Sequence, residues 1–390
     1  MLEPDERMGL PEPQEFARHY ERAVSQGVEE DFAAQMKDGM TGVIGILENG
    51  SGPVTAMRFD IDALGVVESN EELHRPTREG FASVNPGMMH ACGHDCHAAA
   101  GLAVAKVMAR LRDRWRGRLM LIFQPAEEGV RGAKAIVSKG VLDDVNHLYG
   151  HHVLSGRELG EVVAGMAGYA ATEKLDLLFT GEPAHAGGSP EAGKNAMLAA
   201  AAAVQGLYAI PRHSGGATRI NAGILNAGTG MNVILPLTHV CNGRVARRDR
   251  RALRIHVPVG TQSRQRCRRQ CRTAGVEVLR KGSAPAGGSD PELAKAVEEV
   301  AKRLSGVWSA SLQKIGGSED FVHMIQRVRA NEGRSTNIGI GARFKDGPKD
   351  GRDGLLCSRA HTEMFDVDER AMPLAVKLLC ACAMKDCGCL

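Results

Sequence analysis

The chain has 390 residues, 43% of them hydrophobic and 24% charged, with a formal net charge of +3. That length exceeds what one hydrophobic core supports, so two domains are expected; the charge is too small to imply a polyanionic partner, and 4% aromatic residues argue against stacking platforms for nucleic acid. No apolar run approaches the roughly 18 to 20 residues of a membrane span, and MLEPDERMGLPEP lacks the basic-then-apolar layout of a signal peptide, so a cytoplasmic protein with reduced or metal-bound cysteines is expected.

The first fifty residues are charged and helix-prone. From Val54, VTAMRFDIDAL alternates and then breaks at acidic residues, as a buried strand does when its C-terminal end carries polar function. The loop SVNPG leads into HACGHDCH, and AAAGLAVAKVMARL has helical spacing. The unit then repeats, with RLMLIFQ as strand, PAEEG at its tip and GAKAIVSKGVL as helix, before HLYGHHV gives a third strand closing on histidines. Strand, polar tip and helix in recurrence is the α/β pattern, whose ligands gather at strand C-termini. At about Thr172 the character changes: EKLDLLFTG and TRINAGILNAG read as strands around the Ala-rich helix KNAMLAAAAAVQGLYAI. After Gly282 the α/β text resumes with a helix from Pro291 to Leu304, a GGSEDF loop, AHTEMFDVDE and a final helix. The expected layout is a catalytic domain over 1–171 and 285–390, interrupted by a small α+β domain over 172–284.

Two stretches do not fit. Between Arg244 and Arg272 eleven arginines stand against one acid, Asp249, where the inserted domain should finish its sheet. We read this as a poorly ordered or sequence-altered segment in preference to an RNA- or phosphate-binding patch. The C-terminal LLCACAMKDCGCL places four cysteines in ten positions, read as a tail of unpaired thiols ahead of a soft-metal site.

Cys92 and His94 can converge on one ion from the end of a strand. A zinc finger would need a second Cys/His pair at short spacing, and none follows; Cys92 and Cys96 lack the Cys-x-x-Cys spacing of a redox pair. A cysteine nucleophile at Cys92 remains a further reading. Glu127 and Glu128, adjacent after a buried strand, would repel unless a cation or a shared proton relieves them. With His151 and His152 ending the next strand, they become candidates for a metal site.

The motifs MRFDIDAL, GMMHACGHDCH, QPAEEGVRGAK, PAHAGG, GTGMNVI and GGSEDF occur in the order and approximate spacing of the M20 metallopeptidase family. They resemble its amidohydrolase branch, with similar text from about Arg7 to Leu235 and from about Gly316 to Glu369. The resemblance implies a mixed-sheet, zinc-peptidase-like α/β catalytic domain with an inserted α+β lid or dimerisation domain. It implies two divalent ions per chain, zinc or manganese, held by Cys92, His94, Glu128, His152 and His361, with the Cys92 thiolate shared. Glu127 would be the general base, Asp62 would orient a ligand, His185 would polarise the scissile carbonyl, and Asn232 would contact substrate. The implied reaction is hydrolysis of the amide bond of a small N-acyl or N-aroyl amino acid, p-aminobenzoyl-glutamate being preferred. The implied assembly is a homodimer or a heterodimer with a homologous subunit, and the competing reading is a subunit that keeps the metal site but needs a sister chain for activity. Neither a membrane nor nucleic acid is an expected partner.

The sequence departs from the family's pattern in two places. The family has a further helical segment before RMGLPE, whose loss would expose apolar surface. The arginine that holds the substrate carboxylate falls near Arg244 to Arg248, where CNGRVARRDRR is not expected to preserve the family's strand, so no single arginine takes that role.

Overall fold

The computed structural model describes residues 8–36, 38–211, 218–235, 237–247, 275–315, 317–345, 357 and 359–389. In chain order come α1 (Pro13–Ser25), α2 (Glu30–Ala34), β1 (Val43–Asn49), β2 (Val54–Asp60), α3 (Arg75–Glu79), α4 (His94–Arg110), β3 (Gly117–Gln124), α5 (Gly132–Val137), β4 (His147–Glu158) and β5 (Glu161–Tyr169). Next are β6 (Ala171–Thr180), β7 (Ala184–His185), α6 (Ala196–Tyr208), β8 (Arg219–Ala227), β9 (Val233–Ile234), β10 (Leu237–Arg247) and β11 (Gly275–Ala284). The chain closes with β12 (Gly287–Gly288), α7 (Pro291–Ala301), β13 (Ser309–Lys314), α8 (Phe321–Ala330), β14 (Arg334–Arg343) and α9 (Ala371–Asp386).

Eight strands form the large sheet in the order β1-β3-β2-β4-β14-β5-β12, with β13 added beside β5. The central pairings β3–β2, β2–β4 and β4–β14 are parallel, and β1 and β5 join antiparallel, making the sheet mixed. Alternation along the strands explains the two-sided core, because successive side chains point to opposite faces. Met57, Phe59, Leu119 and Leu121 pack under α4, α7 and α9, whereas Ala56, Met120 and Ile122 pack under α5 and α8. Burial on both faces accounts for the nearly unbroken apolar run of β3.

After β5 the chain leaves this sheet, and at β12 it returns to pair with the same strand. Between these points β11-β6-β10-β8 form a four-stranded antiparallel sheet. Helix α6 is capped by Asn195, whose side chain accepts from the amides of Met197 and Leu198. It lays Ala196, Ala199, Ala200, Ala203 and Leu207 against Leu177 and Phe179 of β6; small side chains let helix and sheet approach closely.

Several expectations are corrected. The segment CNGRVAR does continue a strand, β10, because β6 and β8 supply a hydrogen-bonding partner on each side whatever the side chains prefer; the rest of the arginine-rich run, from Arg248, lies outside the described residues. His151 and His152 do not end their strand, since β4 runs on to Glu158 along β14. The helix expected over GAKAIVSKGVL stops at Val137. The C-terminal cysteines are not a tail: Cys380 and Cys382 are buried on α9 among the core aliphatics, with Cys387 half-buried and Cys389 exposed. Among the described residues no helix is long and apolar enough to cross a membrane.

Gly132 opens α5 where the chain folds back under β3. A Cβ there would sit 1.7 Å from the Pro125 carbonyl oxygen. Gly132→Ala is therefore expected to destabilise the fold by about 1–3 kcal/mol, as over-packing at a backbone contact does, measured as a lowered midpoint in urea.

Candidate active site

The ends of β2 and β3, the middle of β4, the start of α4 and one late loop build the site. Strand β2 ends at Asp60, and Asp62 follows in the loop. Its two carboxylate oxygens accept the amides of Glu127 and Glu128, each at 3.0 Å. This pins the loop after β3, in which Ala126 and Val130 adopt left-handed backbone angles of 59° and 48°. Such angles are costly for residues with a Cβ, most of all a β-branched one, and they persist where surrounding contacts fix the chain.

Helix α4 starts at His94, with Gly93 before it at φ 86°. A Cβ on Gly93 would meet Val153 Cγ2 at 2.3 Å, so both backbone angle and space demand glycine between Cys92 and His94. The His94 ring lies with Nδ1 2.9 Å from the Asp62 carbonyl oxygen, to which it donates. Nε2 is therefore the nitrogen that could face a cation in place of a proton; it is buried without a hydrogen-bond partner and lies 3.9 Å from Glu128 Oε1, which is also buried and has no hydrogen bond. His152 makes the parallel arrangement: Nδ1 donates to the Val153 carbonyl at 2.5 Å, and Nε2 faces Cys92 Sγ at 3.6 Å. His361, at φ 65° with its amide donating to the Ala91 carbonyl, places Nε2 3.3 Å from Glu128 Oε1.

Cys92, His94, Glu127, Glu128, His152 and His361 thus gather into overlapping clusters whose ligand atoms lie within 4.8 Å of one another. Imidazole nitrogens, a thiol and a carboxylate oxygen converging at a half-buried site suit divalent cations such as zinc. The electrostatics agree. Burial, with Glu128, Glu127 and Asp60 nearby, pushes the Cys92 thiol far up, so a thiolate here needs a cation beside it. Although burial opposes its charge, His94 is raised to about 9 by Asp60, Asp62 and Glu128. Burial works the other way on Glu128, yet His361 and His94 hold it below the usual carboxylate range. Glu127 is driven well above that range by burial and by Glu319, Asp320 and Glu128.

His185 and Asn232 lie elsewhere, His185 on β7, where it pairs with Val233 of β9, and Asn232 in the turn before β9, where its carbonyl accepts from the Ala186 amide. No contact from either to the carboxylate cluster occurs among the described residues. His185 Nδ1 accepts from the amides of Gly187 and Gly188 at 3.1 and 2.9 Å, leaving the proton on Nε2.

Other residues at the site had no role from sequence. His97 donates from Nδ1 to Asp60 and accepts the Val153 amide at Nε2, so both nitrogens are used in holding the strand ends together. Arg58, fully buried, reaches Asp60, Glu319, Asp320 and Gln124 at 2.5 to 3.2 Å. Asp320 also accepts from Gln124 and from the Ala133 amide, joining this node to the loop that carries Glu127. Burial drives Asp320 up to about 7 against the pull of Arg58. The signals were the acidic GGSEDF loop and the arginine inside the otherwise apolar MRFD strand. His151, buried edge-on to Phe59, is held down to about 3 by burial and His152.

A mixed α/β sheet with thiol, imidazoles and paired carboxylates gathered beside it defines a metallohydrolase-like protein of the zinc-peptidase type. The chain belongs to peptidase family M20/M25/M40, whose profile matches residues 56–385. It is 40% identical over 396 aligned residues to the indole-3-acetyl-aspartic acid hydrolase of Enterobacter agglomerans, covering 98% of this chain and 85% of that protein. It is 39% identical to one subunit of the p-aminobenzoyl-glutamate hydrolase of Escherichia coli strain K12, covering 97% and 84% respectively. The crystal structure of an aminobenzoyl-glutamate utilization protein from Klebsiella pneumoniae superposes with a TM-score of 0.77 at 32% identity, over 98% of this chain and 84% of that one.

Proposed function

We propose that the protein is a metal-dependent amidohydrolase that cleaves N-acyl or N-aroyl amino acids in the cytoplasm, with p-aminobenzoyl-glutamate, split to p-aminobenzoate and glutamate, as the preferred substrate. The observation that carries this is that His94 Nε2 and Glu128 Oε1, both buried without a hydrogen bond, face one another beside Cys92, His152 and His361. The hydrolase relatives supply the amide substrate class. Cys92, His94, Glu128, His152 and His361 would hold two divalent ions, zinc or manganese, and such ions supply Lewis acidity that brings the pKa of water down towards roughly 7.

Glu127 takes the proton of the attacking water and returns it to the leaving amine. Its raised pKa suits the second half of that cycle, since a carboxyl that keeps its proton can hand it to the amine. Asp62 keeps Glu127 and Glu128 in place through their amides and orients His94 through its own carbonyl. The inserted domain, residues 172–284, serves as a lid or dimerisation unit: His185 presents Nε2–H to the carbonyl oxygen as negative charge develops there, and Asn232 meets the substrate from the turn before β9.

Chelator-treated protein is expected to release no p-aminobenzoate, and manganese or zinc to restore release with two ions per chain by elemental analysis. Restored ion content without hydrolysis of any N-acyl or N-aroyl amino acid would defeat the reading. A second reading is favoured by one observation: the Escherichia coli relative is named as a subunit. In that case the chain forms a heterodimer, and activity appears only when a homologous chain is added.

A further inference from the structure

The inserted domain is joined to the large sheet by β6, which leaves it, and β11, which returns to it. These two strands pair antiparallel, and a bulge after Arg280 sets Gly282 opposite Lys174 and Ser283 opposite Glu173. Three residues of this junction meet one target, the loop after β3. The half-buried Lys174 ammonium donates to the Glu128 carbonyl oxygen. The Ser283 amide donates to the Val130 carbonyl at 2.9 Å. Between them the β11 backbone lies so close to Gly129 that a Cβ on Gly282 would collide with the Gly129 carbonyl oxygen. The junction is itself anchored, because the Ser283 carbonyl accepts from His323 Nε2 of α8 at 2.8 Å and Ala171 and Thr172 are buried where β6 begins.

The loop depends on being held from this side. Asp62 takes the amides of Glu127 and Glu128, which fixes the peptide before the Glu128 Cα. Lys174 takes the carbonyl of the peptide after it. With both flanking peptides gripped, the direction in which the Glu128 side chain leaves the backbone is set. Of the three junction contacts only that of Lys174 carries a charge, and a charge-assisted hydrogen bond is about twice as strong as a neutral one. We propose that Lys174 is a positioning residue for the Glu128 carboxylate, so that the inserted domain takes part in building the ion site. The inference rests on the metal-dependent amidohydrolase reading and adds to it a residue outside the catalytic domain on which the ions depend.

The test uses the full chain loaded with manganese. It measures the rate at which a chelator strips the ions, and separately kcat and KM for N-(4-aminobenzoyl)glutamate. Lys174→Met keeps the stem and removes the donor, whereas Lys174→Arg keeps a cationic donor. Lys281→Met removes a lysine of the same junction that faces Asp176 at 3.7 Å, and serves as the control. Ions are expected to leave Lys174→Met about tenfold faster or more, the scale on which losing a partner of a metal ligand is felt, and to leave the other two variants within about threefold of the wild-type rate. In Lys174→Met kcat is expected to fall by about tenfold with KM changed by less than about twofold, the pattern of an interaction felt in the transition state. Ion release from Lys174→Met at the wild-type rate overturns the proposal. Release as fast from Lys174→Arg as from Lys174→Met also overturns it, by making the residue a packing element. So does a rise in KM with kcat intact, which would make Lys174 a substrate contact. If the manganese-loaded wild type cleaves no N-acyl or N-aroyl amino acid, the hydrolysis reading falls, and the release rates alone decide the role of Lys174.

Discussion

Glu127→Gln is expected to lower turnover of N-aroyl amino acids by about 10²- to 10⁴-fold, the contribution typical of a positioned general base, while ion content stays at the wild-type level. The substitution keeps the shape of a residue that is only 9% exposed, and it removes the ability to carry a proton from water to amine. Glu127 is also the carboxylate whose environment differs most from that of its neighbour: burial and the acids behind it drive it up, whereas His361 and His94 hold Glu128 down. Two adjacent carboxylates pushed in opposite directions can divide the work into proton carrier and ligand. Turnover and elemental analysis on the same preparation check the assignment. Turnover within about tenfold of wild type would assign the base elsewhere, and a loss of ions would make Glu127 a ligand.

Arg58→Met should be the most damaging substitution to stability, by about 3–5 kcal/mol, because removing one partner of a buried charge cluster strands the others. Arg58 is completely buried and meets Asp60, Glu319 and Asp320, and its guanidinium lies 5.5 Å from the Phe321 ring centre. Lysine cannot stand in, since no ammonium spans four acceptors in a planar fork. Urea unfolding measures the effect, and a shift below about 1 kcal/mol would mean that the surrounding acids are already protonated and need no cation. Because Asp320 also ties the Ala133 amide and Gln124, the loss should extend to the Glu127 loop.

Much of the large sheet was legible because its strands carry period-two or fully apolar runs that end in polar residues, as at RLMLIFQ followed by PAEEG. The gathering of Cys92, His94, Glu128, His152 and His361 followed only from resemblance, since nothing in local spacing brings His361 to β4. What escaped was determined by pairing and by burial. Strand β10 looked implausible as arginine-rich text, yet it is held between two neighbours that need its backbone. His97 had no role from its sequence position, because nothing local shows that the Val153 amide and Asp60 occupy both its nitrogens. Arg58 hid inside an apolar strand, because a sequence shows a charge but not the three acids that meet it from residues 60 and 319–320.

The turn at Gly187 and Gly188 fixes the direction in which His185 can act. With two amides pointing into one ring nitrogen, the imidazole faces outward as a one-way donor. It can greet an oxygen bearing lone pairs, but it has nothing to offer an N–H or O–H, so a compound that brings a donor to that spot meets a closed door unless the turn itself comes apart.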